Sequence, residues 1–173
     1  HLDPVIFEDL LIKGLDKLDF RKLKIAYNGE QDQLKLLVDV PHITYLDIEI
    51  DTLLINANSN ELGLDFSVFL KRLTKGNFIM PTLTTYGNST SEKTSISFGI
   101  LDDLDEFTLF MKTEIQSLDS GFQFHLLSDS LILGYKNWKV DKDNRAVISD
   151  RGLYVEQLVL NNELGTFEVK SKN

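Results

Sequence analysis

Apolar residues recur at every second position along most of this chain. That is the spacing at which a β-strand sends successive side chains to opposite faces. Leu23, Ile25 and Tyr27 alternate with Lys22, Lys24 and Ala26, and Asn28-Gly29 follows as a turn signal. Leu34, Leu36, Val38 and Val40 alternate with Lys35, Leu37 and Asp39, and Pro41 is expected to end that strand. Ile48 and Ile50 alternate with Asp47, Glu49 and Asp51. The phase then slips at Thr52-Leu53-Leu54, which predicts a bulge or bend and puts Leu54 on the wrong face. Asn56 to Asn60 reads as a turn before Leu62, Leu64, Phe66 and Val68.

The second half has the same texture. Phe78 and Met80 precede Pro81, and Ile96, Phe98 and Ile100 alternate with Ser95, Ser97 and Gly99. Phe107, Leu109 and Met111 form the next set, then Phe122, Phe124 and Leu126, then Leu131, Leu133 and Tyr135, then Trp138 and Val140. Asn144, Asp150 and Gly152 mark turns around a short strand with Val147. Val155, Leu158 and Leu160 read as one strand with a slip at Gln157, and Asn161-Asn162 turns the chain into Phe167 and Val169. Only Pro4 to Leu15 departs from this period. Val5, Ile6, Leu10 and Leu11 share a helical face there, and Gly14 would stop a short N-terminal helix.

About ten to twelve strands at turn spacings of roughly 10–14 residues predict an all-β protein with a meandering antiparallel sheet. Several strands look long, about 8–12 residues, or roughly 25–40 Å. Long strands with one apolar face make a large sheet that must curl, close or be covered. A curled sheet can leave an apolar groove that suits an acyl chain, while the same alternation equally describes the packed core of any β protein. The whole of 1–173 reads as a single β domain cut from a longer repetitive array, with His1 taken as a tag remnant.

Composition narrows the partners. Hydrophobic residues are 42% and charged residues 26%, a composition that folds, and the net charge is −9. A chain this acidic is a poor ligand for a nucleic-acid backbone or an anionic membrane surface. Without cysteine, disulfides, thiol nucleophiles and Cys-ligated zinc are excluded.

No cofactor or metal is expected, and no catalysis. His42 and His125 stand apart, without the paired spacing of a metal site, and His125 lies on the polar phase of its strand. The acidic run Asp102-Asp103, Asp105-Glu106 lacks the alternating oxygen spacing of a calcium loop, and Lys139 and Lys142 would oppose a cation in the turn up to Asn144. Both read as solvated turns. Nucleophile elbows and phosphate-binding glycine loops are missing. Asn88-Ser89-Thr90 fits the N-glycosylation pattern, a common chance match.

From Tyr135 onward the chain reads YKNWKVDKDNRAVISDRGLYVEQLVLNNELGTFEVKSKN. An aromatic strand ends in Asn137-Trp138. A turn with Asn144, a Gly-led strand from Gly152 to Val155, and Leu158-Val159-Leu160-Asn161-Asn162 before Phe167 follow in order. This resembles a recurrent unit of the TamB branch of the AsmA-like proteins of Gram-negative bacteria. The stretch KLKIAYNGEQDQLKLLVDVPHITYLDIEI is similar in texture to that family's middle region.

The resemblance implies a U-shaped sheet, the β-taco, with an apolar concave interior. It implies a periplasmic segment of an inner-membrane-anchored protein, with phospholipid acyl chains as cargo and an outer-membrane barrel as partner of other parts of the protein. The inward apolar face is then expected to hold Leu34, Leu36, Val38, Ile48, Ile50, Leu64, Phe66, Phe98, Leu109, Phe122, Phe124 and Leu133. The competing expectation is a β-sandwich module that recognises a polysaccharide or a protein, with Tyr45, Phe69 and Phe110 as exposed aromatics. Terminal strands would be open edges, so self-association of the fragment is also expected.

Overall fold

The structure is a computed structural model and describes residues 14–171. It is all-β. Its sixteen described strands pair antiparallel throughout. The N-terminal helix expected over Pro4 to Leu15 lies almost wholly outside the described residues, and Leu15 itself opens the first strand. The chain divides into two compact units, 1–84 and 85–173.

The first unit holds β1 (Leu15–Asp19), β2 (Lys22–Asn28), β3 (Gln33–Tyr45), β4 (Ile48–Asn60), β5 (Gly63–Lys75), β6 (Phe78–Met80) and the start of β7 (Thr82–Ser89). Three of these strands run for 13 residues. Both β1 and β2 pair with β3, one at each of its ends. Next to β3 lies β4, then β5, whose far end pairs with β6.

Two expectations fail here for one reason. Pro41 does not end its strand, and Asn56 to Asn60 is not a turn: β3 runs on to Tyr45 and β4 to Asn60. Central strands with a partner on each side hold residues whose own preference is for turns. The missing N–H of Pro41 falls where the ladder is already interrupted, between the pairs Val40↔Leu53 and His42↔Asp51. A strand over Thr82–Ser89 was not anticipated, although its β-branched threonines favour one.

The interruption crosses β3, β4 and β5. Pairing lapses at Pro41, at Thr52 and at Lys71, and resumes beyond in the same register. The apolar phase changes at this level in each strand. Val40 is followed by Ile43, Ile50 by Leu53 and Leu70 by Leu73, each a step of three. Thr52 carries the backbone irregularity, with a φ of 55°. The slip expected at Thr52 is therefore present, and its neighbours share it. The carbonyl of Lys71 accepts a hydrogen bond from Thr82 Oγ1 at 3.1 Å.

The second unit is built around β9 (Phe107–Leu118), flanked by β8 (Lys93–Leu101). On its other side β9 has two partners. Its C-terminal half pairs with β10 (Gly121–Leu126), which continues to β13 (Arg145–Ser149) and β14 (Gly152–Glu156). Its N-terminal half pairs with β11 (Leu131–Leu133), which continues to β12 (Lys136–Val140), β15 (Leu158–Asn162) and β16 (Gly165–Val169). The sheet thus forks at β9.

Val155, Leu158 and Leu160 do not share a strand. Gln157, at a φ of 49°, divides β14 from β15 and sends them to different branches. The branches meet again at Ser171, whose N–H donates to the Val155 carbonyl while its Oγ accepts from Val155 N–H, both at 2.8 Å. Leu131, Val140 and Leu160 form a buried core in the fork, with Met111, Leu126, Leu133, Trp138 and Leu158 packed against it.

Candidate functional site: the apolar rows of the sheet

Antiparallel register decides which side chains stand beside one another, because directly paired residues share a face. In the first unit Leu23, Val38, Ile55 and Val68 form one row, and Ile25, Leu36, Ala57 and Phe66 the next. Tyr27 stands opposite Leu34, and Ser59 opposite Leu64. Ser59 Oγ accepts the Leu34 N–H at 2.7 Å. The sequence-predicted residues Leu34, Leu36, Val38, Leu64 and Phe66 therefore belong to neighbouring rows across β3 to β5.

Ile48 and Ile50 belong elsewhere. Ile50 stands in a row with Leu18, Ile43, Leu73 and Met80, beyond the interruption, and Ile48 is opposite Tyr45. Leu54 pairs with Asp39 and Phe69, on the opposite parity from Leu53 and Ile55. Sequence reasoning missed Ile55, Leu70 and Leu73 as members of these rows. The three-residue steps were the signal that could have found them.

In the second unit Phe98 stands opposite Met111, and Ile100 opposite Leu109, which is also paired with Leu133. Phe124 lies between Ile115 and Ala146. Phe122, Ile148 and Leu153 form an outer row in which each is at least half exposed. The predicted residues of this half fall on one parity. Leu133 packs against the closed core, and Phe122 is 53% exposed.

Coverage of these rows is sparse. Among the described residues, the buried apolar side chains are Leu15, Val40, Leu131, Val140, Val155 and Leu160. Ile25 and Tyr27 are about two-thirds exposed, at 67% and 66%. A shallow concavity of about 350 Å³ contains Leu36, Ala57 and Phe66 together with Lys35, Asn58 and Asp65.

The polar groups build structure. Arg21, just ahead of β2, reaches Asp39 on β3 at 3.2 Å. His42 lies within β3, not in a turn. Its Nδ1 is 3.3 Å from Asp51 and its Nε2 is 3.1 Å from Thr44 Oγ1. His125 Nδ1 is 2.8 Å from the Asn144 carbonyl. Asn144, 3% exposed, donates through Nδ2 to the carbonyls of Leu126 and Asp141 and accepts the Leu126 N–H on Oδ1.

The acidic run also serves a turn. Asp102 caps the backbone N–H groups of Leu104 and Glu106 and accepts the Tyr135 hydroxyl at 2.9 Å. Those backbone donors, Glu106 first and Leu104 second, hold its carboxyl below the usual range, with Tyr135 adding to them. The bond to Asp102 pushes the Tyr135 phenol up, and Asp32 does the same to Tyr27. No cluster of three metal-ligating side chains occurs among the described residues.

The aromatics expected to be exposed, Tyr45, Phe69 and Phe110, are half-buried. Phe110 leans on Phe107 at 4.8 Å between ring centres, with the Lys112 ammonium 5.8 Å from its own. A polar cleft of about 700 Å³ lies instead beside β12 and β15, with Tyr135, Asn137, Lys139 and Asn161 on its wall.

No protein-family model, curated protein or solved structure matches this chain.

Proposed function

We propose that this chain is a non-enzymatic segment of a TamB-like periplasmic bridge, and that its apolar rows offer phospholipid acyl chains a path between the inner and outer membranes. The observation that carries this reading is the first unit's register. It lines up Leu23, Val38, Ile55 and Val68, and Ile25, Leu36, Ala57 and Phe66, as adjoining rows, with large apolar side chains at their outer end left exposed. Each methylene removed from water at such a surface gains about 0.8 kcal/mol, so a chain held by apolar contact alone binds without a specific polar anchor and slides. The ordered match from Asn137-Trp138 to Phe167 supports the family assignment. Docking to an outer-membrane barrel would fall to other parts of the parent protein.

The closed core of Leu131, Val140 and Leu160 favours a second reading, a β-sandwich module that binds a polysaccharide or a protein. The polar cleft with Tyr135 and Asn161 would be its site.

Photo-crosslinking in cells separates the two. A crosslinking amino acid at Leu36 or Phe66 of the parent protein is expected to yield lipid adducts by mass spectrometry, whereas at Lys22 and Lys24, on the opposite parity of β2 and outside the concavity that contains Leu36 and Phe66, it yields none. Adducts at neither pair, in folded and expressed protein, would turn the assignment to the sandwich module.

A further inference from the structure

The seven residues of β2 are all exposed, and among the described residues β2 pairs with β3 alone. One edge of this strand therefore presents unpaired backbone N–H and C=O groups. The other branch ends are shorter, and Ser171 already engages Val155 on β14. We propose that β2 is a homodimerisation edge, taken by β2 of a second copy in antiparallel pairing centred on Ile25.

The sequence of β2 is self-complementary in that register and less so in others. With Ile25 opposite its own copy, Leu23 stands opposite Tyr27, Lys24 opposite Ala26 and Lys22 opposite Asn28. The exposed apolar residues Leu23, Ile25 and Tyr27 then meet on one face, and each lysine meets a small or neutral residue. Lysines on an edge strand usually discourage pairing, and like charges directly opposite are destabilising. Centring on Lys24 would set the two lysines directly against each other. Centring between residues would place lysine opposite isoleucine and lose the common face. Centring on Ala26 would leave Lys22 and Leu23 opposite the turn at Gly29 and Glu30. Only the register about Ile25 keeps all seven residues paired.

The symmetry is two-fold and closed, so the pairing gives a dimer rather than a filament. It also continues the rows Leu23–Val38–Ile55–Val68 and Ile25–Leu36–Ala57–Phe66 into the second copy. The inference does not depend on what occupies those rows.

A single strand pair buries less than a standard interface of roughly 1,600 Å², so the dimer should dissociate on dilution. Sedimentation velocity of the full chain is expected to show a monomer–dimer equilibrium. Ile25→Lys, which sets two ammonium groups face to face, should give monomer at every concentration with an unchanged circular dichroism spectrum, and should remove any dependence of the melting temperature on protein concentration. The chain has no cysteine, so single replacements report the register directly. Ile25→Cys should form a disulfide dimer on mild oxidation, because directly paired Cα atoms lie about 4.5–5.5 Å apart. Leu23→Cys should not, because its copies would stand four residues out of step, about 13 Å. A wild-type chain that stays monomeric, a dimer that survives Ile25→Lys, or crosslinking at Leu23→Cys as fast as at Ile25→Cys would each overturn the proposal.

Discussion

Replacing Asn144 with alanine removes three hydrogen bonds from the middle of the second unit. The side chain donates to the Leu126 carbonyl at 2.7 Å and to the Asp141 carbonyl at 2.6 Å, and accepts the Leu126 N–H at 2.9 Å. It is 3% exposed, so water does not replace it. A net loss near 1 kcal/mol per bond, with the abandoned groups left dry, puts the cost at about 3 kcal/mol. The turn itself survives, because the backbone bond from Asn144 N–H to Asp141 is kept. For a unit of 89 residues, each kcal/mol lowers the melting temperature by about 4–8 °C, so Asn144→Ala should cost roughly 12–24 °C. Trp138, the one tryptophan, packs on the adjacent core, so its fluorescence reads the transition directly. Lys142→Ala in the same turn, an exposed position, should stay within about 0.5 kcal/mol of the parent. A fall of less than about 4 °C for Asn144→Ala would refute the claim that this side chain ties the β12–β13 turn to β10.

Gly121 holds a φ of 146°, and a Cβ there would collide with the Ile148 carbonyl oxygen. Gly121→Ala should cost about 3 kcal/mol or more and is measured by urea unfolding; near-parent stability would contradict the β10–β13 register. Thr52 is β-branched at a positive φ, so Thr52→Gly should raise stability by about 0.5–1 kcal/mol, while Thr52→Val lowers it, in the same assay. The Asp102 carboxyl, held down first by the Glu106 and Leu104 amides, should titrate by NMR below the ordinary value of about 3.9. Its capping contribution is present above that ordinary value and fades as pH falls through the lowered one; a midpoint at or above 3.9 would refute the cap.

The period of two was enough to read the fold class, because long alternation leaves little besides antiparallel strands. The limits of each strand were harder to read where neighbours overrode local preference. Pro41 and Asn56 to Asn60 signal ends and turns, yet the ladder resumes beyond Pro41 and Asn56 to Asn58 are paired on both sides. Gly134 and Tyr135 show the converse. Both have positive φ, 58° and 64°, and make a tight hairpin where alternation suggested Tyr135 as one more strand residue. The fork at β9 was invisible, because a strand with two successive partners on one edge looks like any other strand. Asn144 was legible as a turn residue, but its burial arises from Leu126, 18 residues away. For the candidate groove, parity gave membership of a row, while its extent depends on pairings that no single strand encodes.

The shared three-residue step at Pro41, Thr52 and Lys71 makes a crease across the first unit. Ladder bonding is thinnest along that line, so flexing would concentrate there before any intact row of pairs separates. The crease also binds the strands to a common history. One residue gained or lost in β4 alone would put the residues on one side of the line out of step with both neighbours, and turn an apolar row toward the polar face. Only matched changes in β3, β4 and β5 keep the rows whole. Relatives of this chain should therefore carry length changes at these positions together or not at all.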